Sequence, residues 1–292
     1  MEPMFPVVAY VNVAVSHLKH CRAALYPYGV RPGASKTQVW GKLAIWAIFL
    51  CVAPKLVATT IVVIRTDTGF VVAADSGLSD NHGKPLPQLA CKVFTTDNTV
   101  VWGFGGLMGG WGFDPASDLR RLVGPNLDIV SKRMQADIIP MLTEEAKRIR
   151  VTDPAKFEFL MSGNDIFQVF VAIGKRSILH GYKVTIGENG EISVASSGTI
   201  DCVGGTPSCP PGKIMRIGED AEIVRFLAAH PVAMQQFSSY GDLAKFLVGL
   251  EVDSSPDTVR LPIDSVEVAG KGIIWGQRKP ECSTTDKGKD GR

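Results

Sequence analysis

Thr59 opens the run Thr59-Thr60-Ile61-Val62-Val63-Ile64-Arg65 and directly follows Ala58 and an apolar segment. If the residues before it are removed, it carries a hydroxyl and a free α-amine, a nucleophile and a base on one residue. A threonine hydroxyl attacks poorly unless its proton is taken as it reacts. An α-amine, with an ordinary pKa near ~8, can take that proton directly or through a water. A neighbouring ammonium lowers this pKa further by disfavouring a second positive charge. Lys92 is suited to supply that charge, and Asp75, which ends the run Phe70-Val71-Val72-Ala73-Ala74-Asp75, is suited to balance it. Such a partner is needed because an unpaired buried ammonium is costly. The glycine-rich stretch Gly103–Gly112 offers close backbone approach and N–H donors for an oxyanion. A phosphate loop is a poor alternative there, since no Gly-Lys-Ser/Thr follows.

The elements that must position these groups are short strands. Thr59–Arg65 and Phe70–Ser76 flank Thr66-Asp67-Thr68-Gly69 and read as a β-hairpin. Lys92–Thr96 and Thr99–Phe104 form a second around Asp97-Asn98. Asp114 to Arg150 is mostly helical, with Val130, Met134, Ile138 and Leu142 at helical spacing and Pro140 expected to kink or split it. Strands are expected at Phe167–Gly174, Ile178–Ile186 and Glu191–Ser196, then a loop over Asp201–Gly212. Helices near Glu219–Ala229 and Tyr240–Leu250 precede a last hairpin, Ile263–Val268 with Gly272–Trp275. This order lacks the regular alternation of a doubly wound sheet. It fits an α+β chain of two stacked antiparallel sheets with helical layers outside.

The run Thr59–Ser76, with Lys92-Val93-Phe94 and Gly103-Phe104-Gly105-Gly106, resembles the catalytic core of proteasome β subunits and their bacterial homologues. These are threonine proteases of the N-terminal-nucleophile hydrolase superfamily. The close match covers roughly Thr59–Leu107; beyond it only the order of elements agrees. The resemblance implies a four-layer αββα sandwich, with Thr59 as nucleophile and Asp75 and Lys92 supporting it. It further implies Gly106 as oxyanion donor with Gly105 beside it, and a later aspartate that supports the amine, best matched by Asp257 and next by Asp253. The chain departs from the family in two places. Ala58 stands where self-processing precursors carry glycine, and Glu219 follows Gly218 where the family has a serine.

Composition places the chain among globular proteins: 292 residues, 45% hydrophobic and 21% charged, with net charge +2. That balance gives no electrostatic case for a nucleic-acid partner. Leu43–Ala53 is an apolar run of signal-peptide length, preceded by Lys42 and followed by Pro54, and Ala58 suits a signal peptidase. Residues 1–40 make an unusually long approach to it. No apolar run long enough for a membrane span follows Thr59. The expected organisation is a leader over 1–58, a hydrolase domain over 59–282 and a polar tail over 283–292. The expected location is secreted or periplasmic, with a cytoplasmic alternative. Of six cysteines, Cys91, Cys202, Cys209 and Cys282 lie after Thr59, an even number that suits two disulfides or four thiols equally. Neither cysteines nor His82, His180 and His230 have metal-ligand spacing, so no metal and no cofactor is called for. Trp102, Trp111 and Trp275 read as core or rim aromatics.

Together these features point to a threonine-type peptidase or amide hydrolase, acting on a peptide or amide and compatible with a homo-oligomer. An amidohydrolase on a small amide, and a silent scaffold in which Thr59 never becomes terminal, are the alternatives, because fold and nucleophile do not fix substrate.

Overall fold

β1 (Thr60–Arg65) and β2 (Gly69–Ala74) are buried along their whole length in the computed structural model, which describes residues 59–78, 85–106, 114–270 and 272–283. All of these belong to the unit Lys55–Arg292. The expected leader, the apolar run Leu43–Ala53 and residues 284–292 of the expected tail lie outside the described residues. A continuously apolar strand is expected where both faces of a sheet are covered, and the contacts show this. Ile61, Val63, Phe70, Val72 and Ala74 share one cluster, while Val62, Ile64, Val71 and Ala73 share another.

The fold is α+β, with two five-stranded antiparallel sheets. The second sheet begins with β3 (Val93–Thr96), β4 (Val100–Gly106) and β5 (Phe167–Ile173), and ends with β6 (Arg176–Ile186) and β7 (Ile192–Val203). It is a meander in chain order, β3-β4-β5-β6-β7. The first sheet has the order β10-β9-β2-β1-β8, using β8 (Ile214–Gly218), β9 (Asp264–Ala269) and β10 (Gly272–Gln277). Residues of both sheets meet in the cluster that holds Ile61, Phe70 and Ile217 together with Val93, Val101 and Phe170.

The helices cover other faces. α1 (Pro115–Leu122), α2 (Leu127–Thr152) and α3 (Pro154–Leu160) pack on the second sheet through Leu119, Met134, Ile138, Leu142 and Phe157, against Trp102, Phe167 and Tyr182. α4 (Ala221–Ala229) and α5 (Tyr240–Ser254) pack on the first through Ile223, Leu243, Leu247 and Val248. A short α6 (Pro280–Ser283) follows β10. Local chemistry sets the helix starts: the side chains of Asp114, Asn126 and Ser239 accept the first free N–H groups of α1, α2 and α5.

The structure corrects the sequence reading at three elements. α2 runs unbroken through Pro140. Pro140 is exposed, as is Ala136 one turn before it, so the carbonyl that loses its intrahelical donor faces water. The strand expected to end at Ser196 continues to Val203, past a bulge at Gly181/Tyr182, and takes up the start of the expected loop. β8 pairs with β1 where no strand is expected from sequence.

Leu142 is fully buried beneath α2. Leu142→Ala is expected to cost about 2–5 kcal/mol, whereas Val151→Ala, at an 82% exposed position, should change stability by less than about 0.5 kcal/mol. Urea unfolding of both variants checks this, and equal losses would contradict the packing described.

Candidate active site

The ends of five strands converge on Thr59. It immediately precedes β1, whose first residue Thr60 lies opposite Gly218, the last residue of β8. Ile61 lies opposite Ala74, so Asp75 emerges from β2 beside Thr60. Lys92 precedes β3 and Gly105-Gly106 end β4. The hairpin turns thus lie at the far ends of these strands, and the paired termini bring the chemistry together.

Asp75 is fully buried and its carboxylate is fully used. Oδ1 accepts from Thr60 N at 2.8 Å and from Lys92 Nζ at 2.6 Å. Oδ2 accepts from Gly77 N at 2.6 Å and Arg260 N at 3.2 Å. Asp75 N in turn donates to Thr60 O at 3.1 Å. Both partners of the Lys92–Asp75 ion pair are 0% exposed. Burial pulls the Lys92 ammonium below the ordinary lysine range; Asp75 opposes this, Lys279 adds to it and Glu219 opposes it.

Thr59 is also fully buried, and its Oγ1 has no hydrogen-bond partner among the described residues. Its backbone is clamped instead. Glu219 N donates to Thr59 O at 2.8 Å, and Thr60 Oγ1 donates to Glu219 O at 3.0 Å. This approach requires glycine at 218: its φ is +82°, and a Cβ there would lie 1.8 Å from Thr59 O. Gly218 N donates to Gln168 Oε1 at 3.0 Å, which ties β8 to β5 of the other sheet.

Gly105 lies directly against Thr59, where a Cβ would meet Thr59 Cγ2 at 2.9 Å and Ile217 Cγ2 at 2.7 Å. Gly106 turns away from regular strand geometry at φ +106°. The residues named from sequence therefore divide. Thr59, Asp75, Lys92 and Gly105 are brought together, with Gly106 adjoining them. Asp257 is exposed on the turn after α5, and Asp253 is exposed near its end. The turn reaches the site through neighbouring residues: Thr258 Oγ1 donates to Glu219 Oε2 at 3.0 Å, and Arg260 N donates to Asp75.

The two cysteine pairs form disulfides, Cys91–Cys282 and Cys202–Cys209. The first joins the residue before Lys92 to α6. A second buried ion pair, Lys279–Asp264, accompanies it and was not anticipated from sequence.

No protein-family model matches the chain, and no curated protein matches it. Among solved structures the chain is similar to the Anbu (Gly-1) mutant from Hyphomicrobium sp. strain MC1, a distant likeness at 15% identity. That match has a TM-score of 0.39 and covers 78% of this chain and 91% of the other.

Asp75→Ala removes the carboxylate that pairs with the buried Lys92 ammonium and accepts three backbone N–H groups, and is expected to cost about 3–5 kcal/mol in urea unfolding. Asp75→Asn combined with Lys92→Met removes both charges while keeping a side-chain oxygen for backbone donors, and should recover part of that stability. A loss below about 1 kcal/mol for Asp75→Ala would mean that the pair does not hold the two sheets together.

Proposed function

We propose that this chain is an N-terminal-nucleophile hydrolase of the proteasome-like kind, an αββα sandwich that cleaves an amide bond through Thr59. The observation that carries this reading is the buried Thr59 hydroxyl, without a hydrogen-bond partner among the described residues, beside Gly105 and next to the Asp75–Lys92 pair. A buried polar atom of this kind is rare and calls for an explanation. A nucleophile whose base arrives with its own free amine provides one.

In this reading, removal of residues 1–58 converts the Thr59 amide into an amine. Thr59 Oγ1 attacks the substrate carbonyl carbon while its proton passes to that amine, directly or through a water. The negative charge gathers on the carbonyl oxygen and is met by the backbone N–H of Gly106, with Gly105 allowing the substrate to approach. Collapse expels the leaving amine, which takes the proton from the Thr59 ammonium and leaves an ester on Oγ1. Water then hydrolyses that ester by the same proton route. The Lys92 charge disfavours the protonated amine and so keeps the base available near neutral pH. Asp75 holds Lys92 in place and, through Thr60 N, the start of β1 as well.

Release of Thr59 is proposed to occur in trans during export, since Ala58 lacks the backbone freedom that eases self-attack and the run Leu43–Ala53 suits a signal peptidase. The two disulfides fit an oxidising compartment.

The test is mass analysis after export and after treatment with a peptide α′,β′-epoxyketone, which captures a hydroxyl and an adjacent amine in one ring. The mature chain should begin at Thr59 and be labelled there. Thr59→Ala should be cut at the same bond yet take up no label. A start elsewhere, or equal labelling of Thr59→Ala, overturns the reading. Lys92→Ala should remain folded, because Asp75 keeps three backbone N–H donors, but lose roughly a hundredfold or more of its labelling rate.

A further inference from the structure

Lys279 is the second lysine buried in this region. It is 2% exposed. Its Nζ lies 2.6 Å from Asp264 Oδ2 and donates to Ser76 Oγ at 2.7 Å. The contact to Asp264 is an ion pair rather than an aligned hydrogen bond, since Oδ2 has no hydrogen-bonded donor among the described residues. The backbone N of Lys279 donates to Asp264 Oδ1 at 2.8 Å, so one carboxylate grips both ends of the residue.

Each anchor touches the machinery already described. Ser76 is the residue after Asp75, and its Oγ donates to Pro262 O. Asp264 lies opposite Ala74, the residue before Asp75. Cys282, three residues after Lys279, is bonded to Cys91, the residue before Lys92. Lys92 is paired with Asp75 from the end of β2 and feels the charges of Glu219 after β8 and Lys279 after β10.

A second buried ion pair is hard to justify by stability alone. The desolvation of two charges can exceed their attraction, and well-packed apolar residues often do as well. Here the pair places another cation beside one that the reaction uses.

We propose that Lys279 is a positioning residue of this site, held by Asp264, Ser76 and the Cys91–Cys282 bond so that its fixed positive charge acts on Lys92 and on the Thr59 amine. The part of this that concerns Thr59 rests on the function proposed above; the part that concerns Lys92 does not. A like charge disfavours protonation of its neighbours. Lys279 therefore helps keep the base free at lower pH, and its neutralisation moves the acid limb of the reaction upward.

Two variants separate this role from a structural one. Lys279→Gln keeps donors for Asp264 and Ser76 without the charge. Lys279→Met with Asp264→Leu replaces the pair by apolar side chains. Both are compared with the unaltered chain and with Lys279→Arg, which restores a cation. Carbon-13 NMR of the lysine ε-carbons follows the titration of Lys92, its resonance assigned by loss in Lys92→Met. The pH dependence of epoxyketone capture follows Thr59.

In the neutral variants the Lys92 midpoint and the acid limb should both move up by roughly half a pH unit, about a threefold slower capture below the limb. Lys279→Arg should return both toward the original. An unmoved Lys92 midpoint in a folded neutral variant overturns the proposal, and so does failure of both neutral variants to fold. A moved Lys92 midpoint in a chain whose capture does not depend on Thr59 supports the coupling and overturns the hydrolase reading instead.

Discussion

A single buried carboxylate coordinates this structure. Asp75 takes four donors: one from its own hairpin, one from the residue two positions on, one from the loop after α5 and one from Lys92. The first three are backbone groups, so the carboxylate fixes where three chain segments run. The fourth comes from the head of the other sheet. A buried charge is costly unless it is paired and hydrogen-bonded, and here each oxygen of Asp75 has two partners. The two sheets are held in register at this end by charge, while the cluster of Ile61, Phe70, Val101 and Phe170 holds them by area.

Around that anchor, backbone replaces side chain wherever Thr59 must be approached. Gly105 and Gly218 remove the Cβ atoms that would strike it from two directions. Glu219 then holds both Thr59 and Thr60 through main-chain atoms, leaving its carboxylate to meet Thr258. The carboxylate of Glu219 is thereby placed within electrostatic reach of Lys92.

Much of the arrangement was legible in the residues. The hairpins were visible because β-branched runs stop at short polar breaks, and Asp97 and Asn98 adopt the positive φ angles that such residues tolerate. Thr59, Asp75 and Lys92 stood out because each ends or begins such a run. β8 was hidden because Ile214-Met215-Arg216-Ile217 is short and follows a proline-rich loop; only its pairing with β1 identifies it. Pro140 does not split α2, because the carbonyl left without its donor meets water. Asp257 itself is exposed, and the loop after α5 meets Asp75 and Glu219 by backbone and by Thr258, which residue type alone does not signal. Lys279 was illegible: between Arg278 and Pro280 it reads as part of a solvated charged end, and nothing local signals that Asp264 and a disulfide draw it inward.

The strand order carries a consequence for folding. The second sheet uses its strands in chain order, so it can close from one contiguous stretch of sequence. The first cannot, because β2 waits for β9, which lies almost two hundred positions further along the chain. Until β9 and the loop before it arrive, Asp75 lacks the Arg260 donor and β2 has an open edge. A chain cut short after β8 would thus have β1 paired on both sides but its charged core unfinished. Completion of that core depends on one of the most distant pairings in the fold, so the sequence segments farthest apart are the ones that close it.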